Sequence, residues 1–311
     1  MADPYPKLSL EYEKKIQEAI NKAWDELRRF YTYEQLDNII ETQGVAGLFP
    51  LIDSLPDYVS KNIRPVIEDA ITASGRAVIG ILPSLAITAP LTFSLVLPTV
   101  SSYVNNYVAI RVVEISSTTQ QAIRSAINEA VVTGRNPRQI ARTFRASVGL
   151  TINQELSVQR FKEALMTGNK SYVDGLKTSP GVSDIDSLSD KQIDKLVEQY
   201  RLRTVSRRAE TIARTEALTA ISVGQDLAIK NGLVTGSISN QLMKKWMDAK
   251  DGRTRDAHTV TGATNGWIPI NQPFITPLGP MMFPRDPSGV ASNVINCRCR
   301  IKYALPEDAI D

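Results

Sequence analysis

The stretch Leu202-Arg203-Thr204-Val205-Ser206-Arg207-Arg208-Ala209-Glu210-Thr211-Ile212-Ala213-Arg214-Thr215-Glu216-Ala217-Leu218-Thr219-Ala220 decides what kind of fold this chain can adopt. On a helix, Leu202, Val205, Ala209, Ile212 and Ala220 share one face, while Arg203, Arg207 and Arg214 gather on a face turned well away from it. The segment therefore reads as an amphipathic helix with a basic ridge. Glu216 breaks the pattern, because its spacing from Ile212 and Ala220 sets it within the apolar face. A carboxylate buried without a partner is costly. Glu216 is thus expected to be held by an arginine or by backbone amides of the C-terminal domain, with Arg253 and Arg255 the first candidates.

Working outward, Ser189 with Gln192 supplies a capping start for this helical stretch, which should end at Asn231-Gly232, with a break expected near Leu202. Residues 169–188 are rich in Gly, Ser, Asp and Pro and read as a loop or hinge. Further upstream, an amphipathic helix is predicted over 9–31, from Tyr12, Ile16, Ile20, Trp24, Leu27 and Tyr31. Thr32 with Gln35 opens a second helix that should end near Gly44. Ser54-Leu55-Pro56-Asp57 opens a third, which Pro65 should kink or interrupt. A helix over 118–132 stops at Gly134, Asn136-Pro137 restarts the chain toward Gly149, and Thr151 with Gln154 starts another helix to Gly168.

Between Ala77 and Ile110 there are 34 residues without a charge. That length could cross a bilayer, since about 20 apolar residues suffice. Pro83, Pro90 and Pro98 argue against one straight helix, and in lipid the carbonyls they free would need protein neighbours. The segment is expected to be extended and apolar, packed in the core or on a partner subunit; the competing reading is a membrane-active segment.

Downstream of Gly232 the texture changes: 14 of the last 80 residues are Gly or Pro, against 20 in the preceding 231. Short apolar runs at 242–247, 267–270, 281–283 and 297–303 suggest short strands in irregular chain. The fold class expected is mainly α with a small C-terminal α+β domain, a helical bundle followed by an irregular, short-stranded module. Four blocks follow: 1–76 helical, 77–110 uncharged, 111–231 helical, and 232–311 α+β.

Within the last block lie Trp246, the run Asp251-Gly252-Arg253-Thr254-Arg255-Asp256-Ala257-His258, then Pro284-Arg285-Asp286-Pro287, and finally Asn296-Cys297-Arg298-Cys299-Arg300. His258 is the one histidine of the chain, and Cys297 and Cys299 are its two cysteines. Together they offer three metal ligands, for which zinc is the natural ion, and Asp248, Asp251 or Asp256 could supply a fourth. Strand alternation would put both thiols on one side. Against this, structural zinc sites usually carry Cys-x-x-Cys pairs, and the chain has none. The reading that the sequence favours has no cofactor: His258 and Asp251 orient a turn by hydrogen bonds while two small thiols pack in the core.

No Ser-His-Asp order, phosphate-binding glycine loop or dinucleotide fingerprint is present, so no catalytic residues are expected. The two cysteines give no disulfide framework, which fits a reducing compartment, and the start Met1-Ala2-Asp3-Pro4-Tyr5 carries no apolar leader. Apolar content of 42% and charged content of 22% suit a folded chain, and a net charge of +3 selects no partner by itself. Charge distribution is more telling: five arginines between 201 and 214 face one acid, Glu210. Aromatics at 6% are sparse, so a nucleic-acid contact would rest on Arg and Lys rather than on base stacking.

The Arg207–Glu216 motif followed by the Trp246–Arg300 set resembles the phage Mu F-like minor head (head morphogenesis) proteins of tailed bacteriophages. The resemblance is specific at 207–216 and 246–300 and extends more weakly upstream to about residue 103. It implies a structural virion protein without enzymatic activity, assembled in the host cytoplasm and held in the capsid interior or at the portal vertex. Its implied partners are the portal protein, packaged double-stranded DNA and the major capsid protein, with copies arranged around the portal ring; a membrane contact during ejection would come from the 77–110 segment and not from the resemblance. Arg203, Arg207 and Arg214 would then contact DNA or an acidic portal surface.

Overall fold

A computed structural model describes residues 4–309. Met1 to Asp3, part of the stretch read for a leader, lie outside the described residues. The chain is mainly α with a small α+β module near its C-terminal end. Its helices are α1 (Tyr5–Phe30), α2 (Tyr33–Gln43), α3 (Phe49–Asp53), α4 (Leu55–Ile79), α5 (Pro98–Val132), α6 (Pro137–Ser147), α7 (Ile152–Met166), α8 (Lys170–Gly175) and α9 (Asp190–Val234). There follow β1 (Met243–Met247), α10 (Asp256–Asn265), β2 (Trp267–Pro269), β3 (Phe274–Thr276), β4 (Gly279–Met281), α11 (Ala291–Val294) and β5 (Arg300–Ala304).

Local signals place most helix starts. Reciprocal capping boxes form at Thr32–Gln35, Asn136–Gln139 and Thr151–Gln154, each satisfying two otherwise orphaned backbone donors. Ser189 instead meets Gln192 through its own N–H and hydroxyl. Pro65 does not interrupt helix α4, because Ile63, Ile67, Ala70 and Ile71 around it are fully buried and packing outweighs one lost hydrogen bond. Two expectations fail. Helix α9 is unbroken at Leu202 and ends at Val234, beyond Gly232. Helix α5 begins at Pro98, well inside the uncharged segment. Proline at a first helical position costs nothing, since its missing N–H would have no partner there.

The chain forms two compact units, each assembled from separated stretches. One unit comprises 19–63 and 109–210 and is wholly helical. Its core includes Ile20, Trp24, Leu27, Leu36, Ile52, Ile123, Ile127, Phe144 and Phe161. Gly149, at φ +89°, lets the turn after α6 pass against Trp24: a Cβ there would lie 3.0 Å from the indole. Tyr200 stacks on Phe161 at 4.5 Å, and Arg201 reaches the buried Glu155 at 2.9 Å.

Among the described residues, the other unit comprises 4–18, 64–108 and 211–309. Here α4 and α9 approach closely at Gly224, where a Cβ would lie 2.3 Å from the Ile71 carbonyl. The uncharged 77–110 segment supplies the end of α4, an irregular span and the start of α5. The irregular span is stitched to the chain after α9 by the Ile87–Ile238 bridge and by Thr88 N–H to the Ser237 carbonyl at 3.0 Å. Val78, Leu82, Ala86, Phe93, Val100 and Val104 are buried, whereas Leu85 and Val96 are exposed. No helix among the described residues is long and apolar enough to cross a membrane.

The C-terminal module has a three-stranded antiparallel sheet, ordered β2-β1-β5, and a β3-β4 hairpin. Strand β3 was missing from the sequence reading because prolines 273 and 277 flank Phe274-Ile275-Thr276 and make it look like loop. Trp246, Phe274, Met281, Val294, Cys297 and Cys299 form the module's core.

Candidate functional site

The second motif converges on that core. Trp246 lies on the central strand β1, and its ring meets His258 edge-on at 5.5 Å and Phe274 at 5.4 Å. Helix α10 turns His258 and Thr261 inward. The Cys-x-Cys pair occupies the segment leading into β5, not the strand itself, yet both thiols face the same way. His258 Nδ1 lies 3.5 Å from Cys297 Sγ and 3.4 Å from Cys299 Sγ. His258, Cys297 and Cys299 are 1%, 2% and 1% exposed, so the group is closed to solvent.

The ring is held from behind. His258 Nε2 lies 2.7 Å from Asn293 Oδ1, and Asn293 Nδ2 donates to Thr276 Oγ1 at 3.0 Å and to Met281 Sδ. Because the amide nitrogen is committed elsewhere, Asn293 presents its oxygen to the imidazole, which fixes Nε2 as the donor. Burial disfavours the charged imidazole, but the hydrogen bond and charge of Cys297 outweigh it and raise the His258 pKa. The Cys299 thiol, aided by His258 and Arg285, holds Cys297 well below the ordinary thiol range despite burial. Its hydrogen bond to Cys297, together with burial, pushes Cys299 up.

The run Pro284-Arg285-Asp286-Pro287 assigns Arg285 no role by pattern alone, and the structure gives it a central one. Arg285 is fully buried, at φ +68°. That backbone conformation costs a non-glycine residue about 1 kcal/mol or more. Its five N–H donors meet five acceptors. Nε donates to the Leu218 carbonyl at 3.0 Å, and Nη1 to the carbonyls of Cys297 at 3.0 Å and Cys299 at 2.6 Å. Nη2 donates to Ser222 Oγ at 2.6 Å and to the Tyr5 hydroxyl. One guanidinium thereby fastens the Cys-x-Cys segment to α9 and α1. The only signal available beforehand was an arginine set between two prolines.

Glu216 is buried as predicted, but the Tyr107 hydroxyl donates to it at 2.9 Å, and neither Arg253 nor Arg255 holds it. Arg255 donates instead to the Ile295 carbonyl, and the exposed Arg253 lends its backbone N–H to Asp251. Asp251 organises the 251–254 turn, accepting from Thr254 Oγ1 at 3.2 Å and pairing with Arg298 at 2.6 Å. Neither it, Asp248 nor Asp256 joins the Cys–His group, whose three ligand atoms all lie within 4.8 Å of one another. Of the basic ridge, Arg203 and Arg207 are exposed, Arg203 bonding the Ser179 carbonyl, while Arg214 is paired with Glu13 at 2.9 Å. Arg208, not assigned to the ridge, is buried: it donates to Thr118 and Thr119 Oγ1, both at 2.7 Å, and lies over the Trp24 ring.

A long helical chain that ends in a small mixed module, with a buried arginine bracing a Cys–His group, carries both sequence motifs in one frame. The chain belongs to the family described as Phage Mu protein F like protein, whose signature matches residues 121–302, more than half its length. At a coarse level this is a family of phage head-related structural proteins. No match was found among curated proteins or among solved structures.

Proposed function

We propose that this chain is a non-enzymatic minor head protein of a tailed-phage virion, bound at the portal vertex or inner capsid, where it assists head assembly and the packaging or ejection of DNA. The observation that carries the proposal is the family match, which spans both motifs within 121–302. The closed Cys–His group supports a structural role, since a substrate cannot reach side chains only 1–2% exposed. The arginine ridge of α9, Arg203, Arg207 and Arg214, meets phosphate or an acidic portal surface by exchanging its intramolecular partners for the ligand's oxygens. Mass spectrometry of purified virions combined with a cryo-electron reconstruction without imposed icosahedral symmetry tests this. The expected result is density for the chain at one vertex; absence of the chain from both immature and mature particles overturns it.

A further inference from the structure

We infer that His258, Cys297 and Cys299 are the protein ligands of a zinc ion that clasps α10 to the segment entering β5. Three independent features of the geometry carry this. First, the imidazole Nδ1 stands almost equally far from both sulfurs, at 3.5 and 3.4 Å. A tetrahedral ion with Zn–S near 2.3 Å and Zn–N of 2.0–2.1 Å sets its N···S edges at about 3.6 Å. Nδ1 has a single site, for one proton or one lone pair. Hydrogen bonding alone would favour one sulfur over the other, whereas an ion at the centre calls both to the same distance.

Second, the far side of the ring is fixed in the way metal-bound histidines are fixed. Nε2 bonds Asn293 Oδ1 at 2.7 Å, and Thr276 and Met281 hold the Asn293 amide in that sense. This leaves Nδ1 as the ring atom that faces the thiols. Third, Arg285 grips the carbonyls on both sides of the Cys-x-Cys step, at 3.0 and 2.6 Å, so the sulfurs converge on a prebuilt backbone. Its guanidinium also approaches Cys297 Sγ to 3.9 Å.

Among the described residues no fourth His, Cys, Asp or Glu joins the group. The fourth vertex therefore falls to a water or another small exogenous ligand enclosed with the ion, a coordination usual at open zinc sites but sealed here from solvent. Burial of all three ligands makes the site a clasp and not a reaction centre. The inference is independent of where the protein sits in a virion.

The test uses the full-length chain, stripped with chelator under reducing conditions and then dialysed against a slight excess of zinc chloride. Elemental analysis should return one zinc per chain, and the urea midpoint should rise on zinc loading and fall again with chelator. In Cys299→Ser the bound zinc should be lost, along with the chelator sensitivity of the midpoint. Asn293→Ala, which frees the ring without removing a ligand, should retain the site but weaken zinc affinity by roughly 10–100-fold. Wild-type protein that remains folded by circular dichroism and holds no stoichiometric zinc overturns the inference, whatever the variants do. So does a midpoint that is indifferent to zinc.

Discussion

Each compact unit keeps one motif arginine away from water: Arg208 in the all-helical unit and Arg285 in the unit that contains the β-strands. Neither meets a carboxylate among the described residues; both are satisfied by neutral oxygens and by aromatic rings. The two nevertheless do different jobs. Arg208 joins α9 to the 115–119 turn of α5 through two threonine hydroxyls that already donate to backbone carbonyls. Burial alone pushes its pKa down to about 10. Arg285 supplies donors to loop carbonyls, and so writes the backbone path on which the Cys–His group depends. One arginine fastens helices that could pack without it, whereas the other defines a loop.

The largest effect should therefore come from Arg285. Arg285→Met strips a donor from the carbonyls of Leu218, Cys297 and Cys299 inside a closed core, and should cost about 4 kcal/mol in urea unfolding. Arg285→Lys should recover less than half of that, because an ammonium cannot reproduce a five-donor planar fork. A loss below about 1 kcal/mol would remove the distinction between the two arginines.

A buried cation without such a network should behave otherwise, and Lys244 provides one in the same unit as Arg285. It is 2% exposed, and its Nζ donates to the Met282 carbonyl at 2.8 Å. Desolvation brings its pKa down to about 8, with Asp226 and Asp286 pulling it up and Lys230 pushing it down. The folded-state value lies below the unfolded one, so the charged amine is penalised fully below about pH 8. That penalty fades as pH rises toward the unfolded-state value. Measured as a difference from Lys244→Met, wild-type stability should climb by roughly 3 kcal/mol between pH 7 and pH 10.5. A flat difference would mean that the amine is solvated in the folded protein.

How much of this contrast was readable beforehand depended on whether a residue's role lay in pattern or in path. The capping boxes at Thr32, Asn136 and Thr151, the basic helix and the anomaly at Glu216 are periodic or short-range, and the chain alone revealed them. The proximity of His258 to both thiols could be raised only as an option, since 39 residues separate it from Cys297. Tyr107 as the partner of Glu216 was out of reach, being 109 residues away in a stretch whose lack of charge hid its helical period. Arg285 was harder still. Its left-handed backbone is usually signalled by glycine, and a fully buried arginine contradicts the ordinary expectation for that side chain.

Arg208 sets the intermediate case. Arg208→Met keeps most of the packing against Trp24, and the hydroxyls of Thr118 and Thr119 retain their bonds to the carbonyls of Glu114 and Ile115. Few polar groups are stranded, so the cost should be about 2 kcal/mol, half that of Arg285→Met. Denaturation of the two variants side by side measures the ratio. Equal losses would show that burial, not backbone definition, governs both positions.

Arg214 closes the series at the surface. Its Nε and Nη2 both address a single oxygen of Glu13, at 3.0 and 2.9 Å, with side-chain exposures of 39% and 25%. Exposed pairs of this kind contribute about 0.2–1 kcal/mol, because water competes for both charges and ordering two long side chains costs entropy. A double-mutant cycle of Arg214→Ala with Glu13→Ala should give a coupling of about 0.5 kcal/mol that shrinks as salt rises from 0.05 to about 1 M. The Arg208 and Arg285 effects should hardly respond to the same salt, since their partners are sequestered from counterions. Should Arg214 couple more strongly than Arg208 costs, distance from solvent is not what ranks these arginines, and the acceptor set of each would have to be weighed first.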